Sequence, residues 1–221
     1  MGKILVAGID EAGRGAILGP LVMACVAATK EQEEELLNIG VKDSKELSPG
    51  VRAKLERQIK EIVESYAVVK ITPQELNELM PRKSLNEIEA MKAAQLLQEL
   101  TPKPEIVIVD APDIVAENFS KRIKKYLSLN VIIKAEHFAD SNYATVGAAS
   151  ILAKVARDSE IEALKKRFGN VGSGYWHDPL TKSFVQGWVE KHKALPECAR
   201  IYWEPSMQTL NKKLQKTLGE F

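Results

Sequence analysis

The 221-residue chain is 45% hydrophobic and 28% charged, with 31 Lys+Arg against 30 Asp+Glu and a formal net charge of +1. That length supports one large domain with a sizeable core, and that composition excludes a disordered, collagen-like or disulfide-stapled chain. The longest charge-free apolar stretch, Ala16 to Ala28, is interrupted by Gly19 and Pro20 and falls short of the roughly 18 residues a membrane span needs. Asp10 and Glu11 cut the apolar run that begins at Ile4, so no signal peptide is read and a cytoplasmic address is expected. Cys25 and Cys198 are far apart and neither has a CxxC neighbour, which predicts two reduced structural thiols. Residues 1–119 hold 14 basic and 20 acidic side chains, net −6, and residues 120–221 hold 17 and 10, net +7. The basic groups Lys121, Arg122, Lys124, Lys125 and Lys165, Lys166, Arg167 read first as solvated helix faces.

In chain order, Ile4 to Ile9 is a short apolar run that predicts a buried strand, and Leu21 to Ala28 predicts a second. A short Gly-rich link joins them, which suits an antiparallel hairpin and therefore a mixed sheet. Helix starts follow at Thr29 with Gln32, Thr72 with Glu75 and Ser84 with Glu87, each a capping-box pattern, and at Ser48 and Asp178, each followed by proline. Gly40 and Gly169 are the matching stops. Tyr66 to Ile71, Ile106 to Val109 and Val131 to Ala135 are β-branched runs of strand length. Asn142 to Phe168 is expected to be one long helix, whose Ala144, Gly147, Ala148, Ala149, Ser150 and Ala153 would let it approach the sheet closely. Gly172-Ser173-Gly174 reads as a joint, followed by a short helix and a polar tail from Ser206 to Phe221. The whole predicts an α/β fold, a mixed β-sheet flanked by helices with a small helical C-terminal extension. The expected division is 1–170 as the catalytic domain, 171–205 as a helical substrate-contacting part and 206–221 as a flexible tail.

The position of the acids carries most of the functional information. The first strand runs into Asp10-Glu11, the run Ile106 to Val109 into Asp110, and Val131 to Ala135 into Glu136 and then Asp140. Sites in α/β sheets form at the carboxyl ends of strands, and carboxylates gathered there repel one another unless hard cations join them. Oxygen ligands point to magnesium or manganese. Singly, each acid is as well explained by a turn or cap. Around the first pair lies Gly8-Ile9-Asp10-Glu11-Ala12-Gly13-Arg14-Gly15-Ala16-Ile17-Leu18-Gly19-Pro20. A dinucleotide fingerprint fits poorly, because three residues separate Gly15 from Gly19 and a strand follows. A Walker A loop is absent as well.

These residues carry a resemblance. Gly-Ile-Asp-Glu-Ala-Gly-Arg-Gly with Gly19-Pro20-Leu21-Val22 resembles the signature of the ribonuclease HII family, the type 2 ribonucleases H, in its archaeal form. Val41-Lys42-Asp43-Ser44-Lys45 with Leu47-Ser48, Val109-Asp110, Ala135-Glu136-His137 with Ala139-Asp140-Ser141, Ala148 to Val155 with Arg157-Asp158, and Gly172-Ser173-Gly174-Tyr175 with Asp178-Pro179 continue it in order, from about Lys3 to Trp203. The resemblance implies a ribonuclease H-like fold. It implies an endonuclease that hydrolyses the RNA strand of RNA/DNA hybrids and cuts 5′ to single ribonucleotides in duplex DNA, for primer and ribonucleotide removal. By position, Asp10, Glu11, Asp110 and Asp140 match the family's catalytic, metal-binding carboxylates. Two cations, Mg or Mn, would then drive phosphodiester hydrolysis to 5′-phosphate and 3′-hydroxyl ends. Gly13, Arg14, Gly15 and Tyr175 match its readers of the 2′-hydroxyl, and Lys45 and Lys154 are candidate phosphate contacts.

The match is not complete. Ala16 stands where proline is usual in that family, Phe138 where lysine is frequent, and Trp176-His177 where Pro-Ser is common. The scattered His137, His177 and His192 suit neither a zinc site nor a histidine base. At the C-terminus, Gln215, Leu218 and Phe221 have the anchor spacing of a sliding-clamp-binding motif, so a clamp of the PCNA type is an expected partner. A monomer is the expected state. A binding module without cleavage, and an integrase-like or junction-resolving nuclease of the same fold, are the competing functions. The four carboxylates count against the first, because acids at a phosphate site are unfavourable without metal, and Gly13 to Gly15 with Tyr175 count against the second.

Overall fold

Short-range signals set the element starts. Thr29 accepts from the Gln32 amide while the Gln32 side chain accepts from the Thr29 amide, a complete capping box, and Ser48, Thr72, Ser84 and Asp178 each accept a backbone N–H of the first helical turn. The computed structural model describes residues 4–41 and 47–218, with side chains through residue 211. Its elements are β1 Val6–Ala12, β2 Leu21–Ala28, α1 Lys30–Asn38, α2 Pro49–Ile62, β3 Ser65–Ile71, α3 Pro73–Leu79, α4 Leu85–Glu99, β4 Ile106–Asp110, α5 Ala116–Lys124, β5 Ile132–Glu136, α6 Ala139–Asn142, α7 Ala144–Phe168, α8 Pro179–His192 and α9 Glu204–Leu218. The sheet order is β3-β2-β1-β4-β5. β1 and β2 are antiparallel, with Val6 opposite Ala28 and Ala12 opposite Val22, whereas β1–β4 and β4–β5 are parallel. The expected hairpin and mixed sheet are both present. Among the described residues, no helix is long and apolar enough to cross a membrane.

Two compact units divide the described chain. The first comprises Met1–Ala12, Val22–Lys70 and Lys83–Ala156, and the second Gly13–Leu21, Ile71–Arg82 and Arg157–Phe221. In the first, β2 is buried at every position, and Val22, Val26, Leu36, Leu55, Ile59, Ile151 and Leu152 belong to one hydrophobic core cluster. α7 comes close to β1 at Gly8, where a β-carbon would stand 2.3 Å from the Thr145 carbonyl carbon, and its Gly147 backs onto the segment after α1, where a β-carbon would stand 2.8 Å from the Val41 oxygen. In the second unit, Ile17, Leu18, Val171, Val185, Cys198 and Ala199 form the core, and Phe168 packs edge-on against Phe184 and Trp188. Both cysteines are buried and free. Burial pushes the Cys198 thiol up to about 11 and the Cys25 thiol higher still.

Two elements differ from expectation. The long helix is broken at Tyr143, whose backbone is extended (φ −119°, ψ 126°), leaving α6 as a separate turn. The chain enters that turn through Phe138 in the left-handed region at φ 58°. The segment from Ser206, expected as a tail, is helical through Leu218 as part of α9.

Candidate active site

The parallel register aligns the acids that follow the apolar runs. Ile9 pairs with Val109, so the next residues along are Asp10 and Asp110, and Asp110 itself pairs with Glu136. Successive residues of a strand point to opposite faces. Asp10 therefore shares the face of Gly8, against which α7 packs, and Glu11 takes the other. Asp10 is 6% exposed. Its Oδ1 accepts from the Glu11 amide at 2.7 Å, and it also accepts from the Ser150 hydroxyl. Lys154 of α7, one turn beyond Ser150, donates to the Ser150 oxygen and places its positive charge near Asp10. Burial pushes the Asp10 carboxyl up to about 6; the Asp110 charge adds to the rise, and Ser150, Lys154 and the Glu11 amide oppose it.

Asp110 ends β4, and its Oδ1 accepts from the Ala139 amide at 3.0 Å, which ties the start of α6 to the strand end. Asp140, in the first turn of α6, is 6% exposed. Glu136 is engaged elsewhere: the Tyr143 hydroxyl lies 2.9 and 3.0 Å from its two oxygens, and this bond raises the Tyr143 pKa. Among the described residues, no three His, Cys, Asp or Glu side chains stand close enough to hold a metal ion. The donor chemistry nevertheless fits a hard cation. Asp10 is an oxygen donor whose charge is disfavoured by burial and by Asp110, and a divalent cation would relieve both effects.

The second unit holds Gly13, Arg14, Gly15 and Tyr175. Gly13 has φ 84° and its carbonyl accepts from the Ala16 amide at 3.2 Å, so Arg14 and Gly15 form the tip of a turn. Arg200, fully buried, donates from Nη1 to the Arg14 carbonyl (3.1 Å) and from Nε to the Gly19 carbonyl (2.9 Å). The Gly174 carbonyl accepts from the Ile17 and Leu18 amides at 2.8 and 3.2 Å. Tyr175, next in the chain, is half-buried; the Arg157 guanidinium lies 4.5 Å from its ring centroid and His177 stacks on it at 5.5 Å. Asp178 closes the loop by accepting from the Ser173 amide (2.6 Å) and the Leu180 amide (2.9 Å), which holds its carboxyl below the usual range.

Lys154 is thus beside Asp10 rather than on an open helix surface. Lys45 and Phe221 lie outside the described residues, and Gln215 and Leu218 fall on α9 where only the backbone is described. The sequence reading gives no role to Arg157 or Arg200, and it takes Ser150 only as a small helix residue and Asp178 only as a helix cap. Arg157 stood within a quoted motif, but no local signal marks Arg200, whose partners are nearly the whole chain away.

Comparison with known proteins gives the family and the fold. The family model for ribonuclease HII matches residues 7–206. The ribonuclease HII of Pyrococcus furiosus is 44% identical over 220 residues, 98% of this chain and 97% of that protein. The crystal structure of ribonuclease H2 from Pyrococcus horikoshii superposes with a TM-score of 0.88 at 41% identity, covering 95% of this chain and 98% of that one. Ribonuclease HII from Archaeoglobus fulgidus, solved in complex with PCNA, gives a TM-score of 0.84 at 42% identity, covering 91% and 96%. By sequence and by fold, the chain belongs to the ribonuclease HII family of nucleases.

Proposed function

We propose that this chain is an endonuclease that hydrolyses the RNA strand of RNA/DNA hybrids and cuts 5′ to single ribonucleotides in duplex DNA. The observation that carries the reading is Asp10, buried beside Asp110 with its carboxyl pushed up to about 6. Such a carboxylate is poised to exchange a proton for a cation. Asp10, Glu11, Asp110 and Asp140 would hold two divalent cations, Mg or Mn. When bound, such ions activate water and stabilise the leaving 3′ oxygen, giving 5′-phosphate and 3′-hydroxyl products. Ser150 and Lys154 hold the Asp10 carboxylate in one orientation, with Lys154 also available to a substrate phosphate. Lys45 is a second phosphate contact.

Gly13, Arg14 and Gly15 offer backbone groups to the 2′-hydroxyl, the group that distinguishes a ribonucleotide. Tyr175 meets the sugar with its ring and hydroxyl. Residues 171–205 serve as the substrate-contacting part of a monomer acting in the cytoplasm, in primer removal and ribonucleotide excision. The experiment on the carboxylates is Asp110→Asn, which should abolish cleavage while hybrids still bind; unchanged turnover would refute the assignment.

The relative from Archaeoglobus fulgidus was solved with PCNA, which supports the same class of partner for Gln215, Leu218 and Phe221. Deleting residues 215–221 should leave basal cleavage intact and abolish clamp binding, and retained binding would refute it.

A further inference from the structure

Arg157, on α7, is 5% exposed. Burying a guanidinium is costly unless its surroundings replace the lost water, and burial pulls the Arg157 pKa down. Among the described residues its buried Nε has no hydrogen-bond partner, a further cost to stability. A residue placed at such expense needs another explanation, and its contacts supply one. Nη2 donates to the Ser173 carbonyl at 2.8 Å. The guanidinium lies over the Tyr175 ring at 4.5 Å. Cδ and Nε abut Gly13, where a β-carbon would stand 2.5 and 2.3 Å from them, and Nη2 would be 3.0 Å from a β-carbon on Gly174. A single side chain therefore touches the turn that carries Gly13 and the loop that carries Tyr175.

We propose that Arg157 is a positioning residue for ribonucleotide selection, coupling the Gly13 turn to the Tyr175 ring so that backbone and phenol address one ribose in a fixed relation. This rests on the assignment of Gly13 to Gly15 and Tyr175 as the readers of the 2′-hydroxyl. Arginine suits the task because its plane stacks on an aromatic ring while its edge donates to a carbonyl; a lysine ammonium is a point charge without that plane. The absence of a side chain at residue 13 is the other half of the same constraint, since any β-carbon would displace the guanidinium. His177 stacks on the same phenol and limits its rotation further.

The test is a double-substitution cycle on a duplex with one embedded ribonucleotide, with Mg2+ and matched thermal-unfolding controls. Arg157→Met should lower kcat roughly tenfold with KM held within about twofold, because the coupling acts on the reacting geometry rather than on duplex binding. In a Tyr175→Ala background the same substitution should change kcat by less than about twofold. Arg157→Lys should fall between parent and Arg157→Met. If Arg157→Met does not fold, Arg157→Lys carries the same cycle. Equal losses in both backgrounds, or a loss confined to KM, would overturn the proposal. A Tyr175→Ala protein with undiminished selectivity would overturn the reader assignment and the proposal together. A selectivity loss in Tyr175→Ala beside an unaffected Arg157→Met would overturn the proposal alone.

Discussion

Gly8 of β1 and Thr145 of α7 meet backbone to backbone: a β-carbon on Gly8 would stand 2.3 Å from the Thr145 carbonyl carbon and 2.3 Å from the Val146 nitrogen. That approach brings Ser150 and Lys154 of the same helix to Asp10 of the same strand face. Gly8→Ala must push α7 away from β1. It should cost about 1–3 kcal/mol as an overpacking substitution and reduce cleavage beyond what that loss of stability explains. Denaturant titration with parallel activity assays checks this, and a variant matching the parent in both would contradict the account.

Asp10 links stability to pH in the metal-free protein. Its folded pKa of about 6 lies above the ordinary 3.8, so the folded state keeps a proton that the unfolded chain releases. Stability from this group is therefore full below pH 3.8 and falls as pH rises toward about 6. Asp10→Asn removes the effect. In chelator, the variant should gain on the parent through that window, by about 3 kcal/mol once the pH lies above it. Divalent cation should stabilise the parent and not the variant. A stability difference independent of pH would contradict this.

Asp178 joins the cap of α8 to the loop before Tyr175, accepting from the Ser173 and Leu180 amides and, at 3.4 Å, from the Thr181 hydroxyl. Its carboxyl is held below the ordinary value, so its contribution is complete at neutral pH and is lost only as pH falls through the carboxylate range. Asp178→Ala should cost about 1–2 kcal/mol at neutral pH and weaken discrimination between ribonucleotide-containing and all-DNA duplexes. Equal discrimination by variant and parent would separate the loop from substrate selection.

Arg122 ties three segments together. Its guanidinium donates to Glu87 at 2.8 Å and to Asp113 at 3.2 Å, the Asn86 amide donates to Asp113, and the Tyr126 hydroxyl donates to Glu87. Asp113 lies in the loop that follows Asp110, so the network steadies the exit from the β4 carboxylate. Arg122→Ala should cost about 1 kcal/mol, with a smaller difference at high salt. Arg122→Lys should recover only part, because a single ammonium cannot serve both carboxylates in fork geometry. Full recovery by lysine would show that charge alone matters.

What was legible in the sequence is what short-range chemistry determines. Thr29 with Gln32, and Asp178 before Pro179, are caps within one turn, and the apolar runs that end at Asp10, Asp110 and Glu136 are strands whose ends align in register. Relations between distant residues were not legible. The break at Tyr143 goes with a phenol bonded to Glu136 seven residues back, and Ser206 continues a helix because Glu204 begins one. Arg200 reaches Arg14 across 186 positions, a separation over which periodicity carries no information. Asp10 and Asp110 were legible where apolar runs meet acids; the helical turn that carries Asp140 and the burial that sets the Asp10 pKa were not.

The most direct measurement uses a labelled DNA duplex with one embedded ribonucleotide beside an all-DNA control, incubated with protein and Mg2+, Mn2+ or chelator. A single cut 5′ to the ribonucleotide is expected, only with metal, with no cut in the control. Equal cutting of both duplexes, or cutting that persists in chelator, would contradict it.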